Sequence, residues 1–302
     1  MSGYLHNTYA ESLSDYGEII CLPHSKGWIL KRRIPNSGYH DGIGIYPLFA
    51  CENWDKLPLD LEEVKNDLVC LSMVTDPFGK FDKNVLKNLF IDAFFVFKKH
   101  FVIDLSKNMD EIISKHHWRN IKKAKKKIFV EKCESSKLIC DDWIKLYKHL
   151  IKAHNITGIP AFSERALAKQ LEVPGAQIFR GINEGETIAV LVWYIIKNVA
   201  YYHLGASSDR GYRLNASFAL FWKSIEYFSS LGLEWINLGA GAGANANGIS
   251  GLARFKKGWS SGTTPVYFCG RIFNAEQYNN ILKQKNMGSG KYFPAYRKGE
   301  FR

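Results

Sequence analysis

The stretch from Thr187 to Phe273 constrains this chain most. It reads as strand, strand, helix, strand, helix, strand. Thr187 to Ile196 is almost wholly apolar, and Asn198 marks a turn before the aromatic-rich Ala200 to Ala206. Leu214, Phe218, Phe221, Trp222, Ile225 and Phe228 recur at helical spacing within Leu214 to Leu231, leaving Lys223 and Glu226 off the stripe. Gly232 stands just after, where a left-handed C-terminal cap calls for glycine. Glu234 to Leu238 is a short strand that runs into the glycine- and alanine-rich segment beginning at Gly239. Ile249 to Lys257 is a helix, and Thr264 to Phe273 a last strand. A strand opening into a glycine-rich loop before a helix is a usual place for a ligand in an α/β sheet.

The preceding residues continue the mixed α/β pattern. Glu18 to Leu22, Trp28 to Arg32, Ile43 to Phe49 and Leu68 to Val74 read as strands. Lys83 to Lys98 reads as one amphipathic helix, with Val85, Leu86, Leu89, Phe90, Ala93, Phe94 and Phe97 on a single face, and Phe101 to Leu105 as the next strand. Met109 to Lys127 predicts a basic helix joining two units, 1–127 and 128–302. In the second unit Ile128 to Cys133 reads as a strand, and Asp141 to Ala153 and Ser163 to Leu171 as helices. Ala176 to Ile182 is a further strand. Only 287–302 has a composition compatible with disorder.

The charge is concentrated. Net charge is +12, and Lys115 to Lys127 alone holds seven Lys or Arg and no acid. Lys283 to Arg302 adds six basic residues against Glu300. Two local clusters point to a polyanionic partner, with solvated surface as the alternative. No apolar run nears the roughly 20 residues of a membrane span. The N-terminus lacks the basic-then-apolar pattern of a signal peptide. Six scattered cysteines with no C-x-x-C suit reduced thiols in a cytoplasmic protein. No metal-ligand spacing, Ser-His-Asp or Cys-His arrangement stands out.

Several residues could carry chemistry. His203 lies in a strand beside Tyr202 and could act as a general base or be a hydrogen-bonded structural residue. Tyr201 and Tyr202 alternate across the strand, so one of them lines any cleft. Asn237 and Gly239 could shape a pocket, or the loop after them could be a plain connector. Asp41 and Tyr46 stand within a polar glycine-rich patch of the first unit, which also holds Arg32-Arg33.

The residues themselves resemble a known family. Ala200 to Ser207 (AYYHLGAS), the Asn215-Ala216 helix start, the Trp235-Ile236-Asn237-Leu238-Gly239 strand end, and Gly248 followed by Leu252, Phe255, Lys256 and Gly258 resemble the Fem family. These are tRNA-dependent peptidoglycan aminoacyltransferases within the GNAT acyltransferase superfamily, built from two GNAT-like units in tandem. Lys115 to Val130 resembles the basic helix before their second unit. The resemblance implies acyl or aminoacyl transfer to an amine of a nucleotide- or lipid-linked cell-envelope precursor, and, because the family's first unit helps bind the acceptor, it implies an acceptor site at Asp41, Tyr46 and Arg32-Arg33. Aminoacyl-tRNA would be the donor, without a bound cofactor. It also implies that Phe255 and Lys256 stand where the family's Phe-Lys pair stabilises developing negative charge; a solvated helix end is the alternative.

One departure within the GNAT class concerns the donor. CoA-dependent members carry R/Q-x-x-G-x-G/A at the start of the long helix, where backbone N–H groups hold a pyrophosphate. Here Arg210 to Ala216 reads RGYRLNA, with Arg213 and Asn215 in place of loop glycines. Side chains there hinder the close backbone approach. Arg210 and Arg213 could still bind phosphate through their guanidinium groups. Two rivals therefore stay open: an acyl-CoA-dependent N-acetyltransferase acting on an amino sugar, and a non-catalytic nucleic-acid-binding protein.

Overall fold

The computed structural model describes residues 1–241, 250–288, 290 and 292–300. The chain forms two compact units, a central one (1–3 and 99–264) and a terminal one (4–98 and 265–302). This differs from the expected boundary at 127/128. Residues 99–127 belong with the second half of the sequence, and 265–302 return to the first.

The terminal unit contains α1 (Asn7–Ser12), β1 (Glu18–Leu22), β2 (Gly27–Arg33), β3 (His40–Gly44), α2 (Leu57–Val64), β4 (Cys70–Val74) and α3 (Lys83–Leu89). Two strands carry the chain between units, β5 (Ala93–Asp104) and β11 (Gly262–Ile272), and α11 (Ala275–Gln284) follows the second. The sheet order here is β1-β2-β3-β4-β11. Trp54, Leu57, Leu61, Leu86 and Phe90 pack against Ile29, Leu71 and Met73 in its core. The tail is not disordered: α11 and the turn at Ala295–Arg297 bury Tyr278, Ile281 and Tyr296 against Ile34 and Val69.

The expected helix from Lys83 to Lys98 stops at Leu89, and Ala93–Asp104 is a strand. Asp82 caps the helix by accepting the Asn84 and Val85 N–H groups. The aromatic run after it has strong strand preference. Pairing settles the matter: Asp92 accepts the Ile272 N–H at 2.7 Å, and Phe94 stacks on Tyr267 at 5.2 Å. The apolar spacing that mimicked a helix belongs to two elements.

The central unit contains α4 (Met109–Ile112), α5 (Lys115–Ala124), β6 (Phe129–Cys133), α6 (Ser136–His154), α7 (Glu164–Leu171), β7 (Ala176–Asn183), β8 (Glu186–Ile196), β9 (Val199–Ser207), α8 (Asp209–Arg213), α9 (Ala216–Ser230), β10 (Trp235–Gly239) and α10 (Gly251–Lys257). Its strand order is β5-β10-β9-β8-β7-β6. β6 to β9 pair antiparallel in sequence order, with α6 and α7 between β6 and β7 and hairpins joining β7, β8 and β9, while β10 runs parallel to β9 after the α9 crossover. One face is covered by α5, α9 and α10, whose Ile121, Phe221, Phe228 and Trp259 pack on Trp193, Ile236 and Leu238. The other face is covered by α6 and α7.

The basic helix read from the sequence breaks at Ile113 and Ser114, because Ser114 caps α5 by accepting the His117 N–H. The organising helix, read from Leu214, starts at Ala216 after Asn215, which takes a left-handed conformation (φ 59°) that asparagine tolerates. Gly232 is left-handed at φ 72°, as expected for the end of α9.

Candidate functional site

Two features of the central sheet create a gap. Parallel pairing of β10 with β9 covers Trp235–Val199, Ile236–Ala200 and Asn237–Tyr201, whereas β9 runs on to Ser207. A register shift in the β8–β9 ladder lies between Val192 and Trp193, opposite His203, and such bulges bend a strand. A second shift lies between Asn237 and Gly239 where β10 meets β5. The ends of β9 and β10 therefore separate just beyond Tyr201 and Asn237.

Lys256 reaches this point from α10. Its residue is only 6% exposed, and its ammonium donates to the Ala240 carbonyl at 2.7 Å. The same ammonium lies 5.5 Å from the Tyr202 ring centroid, a cation–π distance. A Cβ on Gly239 would sit 3.3 Å from Nζ, and Gly239 itself is left-handed (φ 71°). Glycine is thus needed there for backbone conformation and for room. Burying an ammonium costs several kcal/mol of hydration, which the Ala240 carbonyl and the Tyr202 ring partly offset.

Phe255 does not face the gap as a ligand would. It packs among Phe218, Phe221 and Trp259 and fixes α10 on the sheet. Its carbonyl accepts from His117 Nε2 at 2.8 Å, and His117 Nδ1 is 2.8 Å from Ser114 Oγ. The His117 ring also abuts Gly258, where a Cβ would fall 2.0 Å from Cε1. Burial lowers the His117 pKa, opposed by the Phe255 carbonyl. The basic α5 thus has an inner face that positions α10.

Asn237 is 2% exposed, and its Oδ1 accepts the Gly239 N–H at 2.9 Å. The same oxygen is 3.1 Å from His100 Nδ1. The sequence reading missed His100, which lay inside an expected helix-to-strand junction far from Asn237 in the chain. Tyr202 packs with Trp193 and Phe221, and burial pushes its hydroxyl pKa up.

His203 is separated from Lys256. It stacks on Tyr194, faces Phe162, and its Nε2 is 3.1 Å from Gln170 of α7. Burial lowers its pKa to about 3. A ring this reluctant to accept a proton is a structural histidine, and the expectation of a general base at 203 is corrected.

Arg210 and Arg213 part company. Arg210 forms surface ion pairs with Glu184 and Glu186. Arg213 lines a cavity of about 330 Å³ with Lys123, Lys126, Lys127, Leu214 and Asn215. Four cations around one cavity beside the start of α9 suit an anion. Of the glycine-rich segment 239–248, residues 242–249, with Gly248, lie outside the described residues.

In the terminal unit Asp41 is fully buried and holds Arg297 through two bonds, at 2.5 and 2.8 Å, with Arg32 3.7 Å away. It anchors the tail, so its expected place in an acceptor site is corrected. Arg32 is itself buried and bonds Glu300 at 2.5 Å. Arg297, counted with the basic tail, serves the same network. The carbonyl of Tyr46 accepts the Tyr9 hydroxyl at 2.6 Å, and burial raises the Tyr46 pKa to about 12. The fold also gathers His24, Asp60 and Glu63 with ligand atoms within 4.8 Å, a grouping no spacing in the sequence announced. Asp60 there caps a turn by accepting the His24 and Ser25 N–H groups.

A mixed sheet with a bulged strand, a splayed parallel pair and a helix after each of β9 and β10 is a GNAT-like frame. Residues 114–257 match the acetyltransferase (GNAT) domain family. The fold as a whole is similar to the crystal structure of FemX, with TM-score 0.68 and 14% identity over 91% of this chain and 93% of that one. It is also similar to the C-terminal domain of a putative lysylphosphatidylglycerol synthetase from Agrobacterium fabrum (TM-score 0.61, 14% identity, 95% and 92% covered). L-PGS from Bacillus licheniformis gives 0.59 with 16% identity over 96% and 99%. No curated protein matches the chain in sequence. The Fem-like GNAT architecture expected from the residues is the one observed. No helix among the described residues is long and apolar enough to cross a membrane.

Proposed function

We propose that this protein transfers an aminoacyl group from aminoacyl-tRNA to an amine of a cell-envelope precursor. The observation that carries the reading is the buried Lys256 ammonium fixed at the separated ends of β9 and β10. An amine attacking an ester carbonyl needs alignment and a partner for the oxyanion that forms. A fixed cation in a partly dry site supplies the second without moving a proton. The cationic cavity beside Arg213 supplies a seat for donor phosphates. Asn215 and Arg213 stand where a CoA enzyme has glycines, which favours a tRNA donor. The acceptor follows from the resemblance: a nucleotide- or lipid-linked sugar precursor of peptidoglycan or a surface polysaccharide. Two similar folds are named for the synthesis of lysylphosphatidylglycerol, an aminoacylated lipid, so lipid-linked amines or alcohols belong among the acceptors tried.

A second reading is acyl-CoA-dependent N-acetylation, favoured by the match to the acetyltransferase domain and by the anion-suited cavity. Calorimetry at physiological salt separates the two. Acetyl-CoA is expected not to bind; micromolar binding moves the assignment to a CoA donor. Bulk tRNA charged with labelled amino acids, mixed with a UDP-linked muramyl peptide, is expected to discharge onto the peptide. Lys256→Ala should slow that transfer by ~100-fold or more, the usual loss for one oxyanion partner. An undiminished rate in Lys256→Ala would remove the lysine from the mechanism.

A further inference from the structure

We propose that His24, Asp60 and Glu63 form a site for a divalent cation of the zinc type in the terminal unit. Their ligand atoms lie within 4.8 Å of one another. Asp60 and Glu63 stand three residues apart on α2 and so share one face of that helix. The turn after β1 lays His24 against that face, with its N–H on Asp60 and its ring on Glu63.

Charge carries the argument. Asp60 is wholly buried, and its two oxygens accept the His24 N–H at 2.9 Å and the Ser25 N–H at 2.7 Å. Those groups offer dipoles but no charge. Among the described residues no lysine or arginine pairs with Asp60 or Glu63; Glu63 meets the His24 ring at 2.7 Å. Lys65 and Arg271 both pair with Glu62 instead. Buried charges are as a rule paired or bound to a metal, and a divalent cation would balance both carboxylates. A second observation points the same way. The Ser25 hydroxyl, on a residue bonded to Asp60, is buried without a hydrogen-bond partner. A polar atom so placed calls for water or an ion nearby.

The donors suit the ion. Around a four-coordinate zinc, bonds of about 2.0–2.2 Å set the donors roughly 3.4 Å apart. Asp60 is fixed, while the His24 and Glu63 side chains are 41% and 55% exposed and can close over it. Each Asp60 oxygen keeps a lone pair beyond the N–H it accepts. An ionised carboxylate can only accept, so His24 Nε2 carries the proton where it meets Glu63. To bind metal through Nε2 the ring holds its proton on Nδ1 instead. A nitrogen beside carboxylate oxygens favours zinc over magnesium or calcium, and three protein ligands leave a position for water. His24 also lines a cavity of about 600 Å³ with Asn53, Trp54, Lys56 and Lys80, which gives the ion a way in from solvent. The bound ion would tie the turn after β1 to α2.

Calorimetry with zinc chloride on the untagged full chain, dialysed against EDTA and then into plain buffer at neutral pH, tests this. One site with a micromolar or tighter Kd is expected. His24→Ala and Glu63→Gln should each weaken it by about 10-fold or more, the least that loss of even an outer-shell partner costs. Both positions are exposed, so the metal-free variants should unfold at nearly the temperature of the unaltered chain, and zinc should raise Tm in the unaltered chain alone. In long-range proton–nitrogen NMR, zinc should move the His24 ring proton from Nε2 to Nδ1. Absence of zinc binding overturns the proposal. So does binding of equal affinity in both variants, which would put the ion on the cysteines or on other histidines. None of these measurements needs a transfer assay, so their failure leaves the acyl-transfer reading standing.

Discussion

Two histidines of nearly identical sequence setting have opposite environments here. Both sit in strands beside aromatic residues. His203 is sealed between Tyr194, Phe162 and Gln170, whereas His100 is half-buried within β5, 3.1 Å from Asn237 Oδ1. The difference has a measurable consequence for His203. Its pKa falls from 6.5 to about 3 in the fold because burial disfavours the charged ring. Above pH 6.5 the folded and unfolded chains are both neutral at this site and its full contribution is present. Between 6.5 and about 3 the unfolded chain takes a proton that the folded chain refuses, so stability falls as pH falls. The slope reaches ~1.4 kcal/mol per pH unit. Urea unfolding at neutral pH and at about pH 5 should show the unaltered chain losing about 2 kcal/mol more than His203→Gln over that interval. Equal losses in the two proteins would mean that the ring titrates normally.

At the scale of elements, α5 does two jobs on two faces. Its inner face, with His117, Ile121 and Ala124 buried, packs on α9 and steers α10. Gly258 is in the right-handed helical region (φ −69°), so alanine there is acceptable to the backbone, but its Cβ would strike the His117 ring. That ring is held at both nitrogens and has little freedom to yield. Gly258→Ala should cost ~1–3 kcal/mol by overpacking. The same change in a His117→Ala background should cost less than about 0.5 kcal/mol, since the clash is gone. Thermal unfolding of the four proteins measures this coupling.

The outer face of α5 meets Arg213 around the cationic cavity. Combining Lys123→Ala, Lys126→Ala and Arg213→Ala should weaken binding of a single-stranded RNA oligonucleotide. It should also reduce the slope of log affinity against log salt by about 2, at roughly 0.7 per lost phosphate contact. Fluorescence anisotropy across a salt series checks both. An unchanged slope would place RNA elsewhere on the molecule. The long basic helix expected from Met109 to Lys127 hid this division of labour. Composition shows that lysines are present, but not that a serine cap at Ser114 ends one helix, starts another and turns His117 inward.

At the scale of the whole molecule, the chain leaves the terminal unit at 98–99 and returns to it at 264–265. The last residues are therefore part of the unit built from the first. Asp41 is the centre of that return, with Arg297 bonded to it twice and Arg32 beside it. Asp41→Ala would leave buried guanidinium groups uncompensated, and such a loss costs ~3–5 kcal/mol. Urea denaturation should show a drop of that size; a change below about 1 kcal/mol would mean that the pair is replaced by water at little cost.

The sequence by itself determined the order of the main elements from Thr187 to Phe273, the glycine end of α9 and the placement of Asn237 and Gly239 at one strand end. These depend on periodicity, caps and turns, which are forces between near neighbours, and such forces can be read along the chain. The tertiary structure alone decided which partners the polar side chains meet. Asp41 is bonded to a residue 256 positions away, Arg210 pairs with Glu184 and Glu186, and His203 meets Gln170. His100 meets an amide oxygen 137 residues distant. The strand from Ala93 was likewise hidden, because an apolar spacing of helical period also suits a strand once Tyr267 and Ile272 are there to pair with it. A side chain's charge, proton and orientation are set by what packs against it, and packing joins residues that the sequence keeps apart.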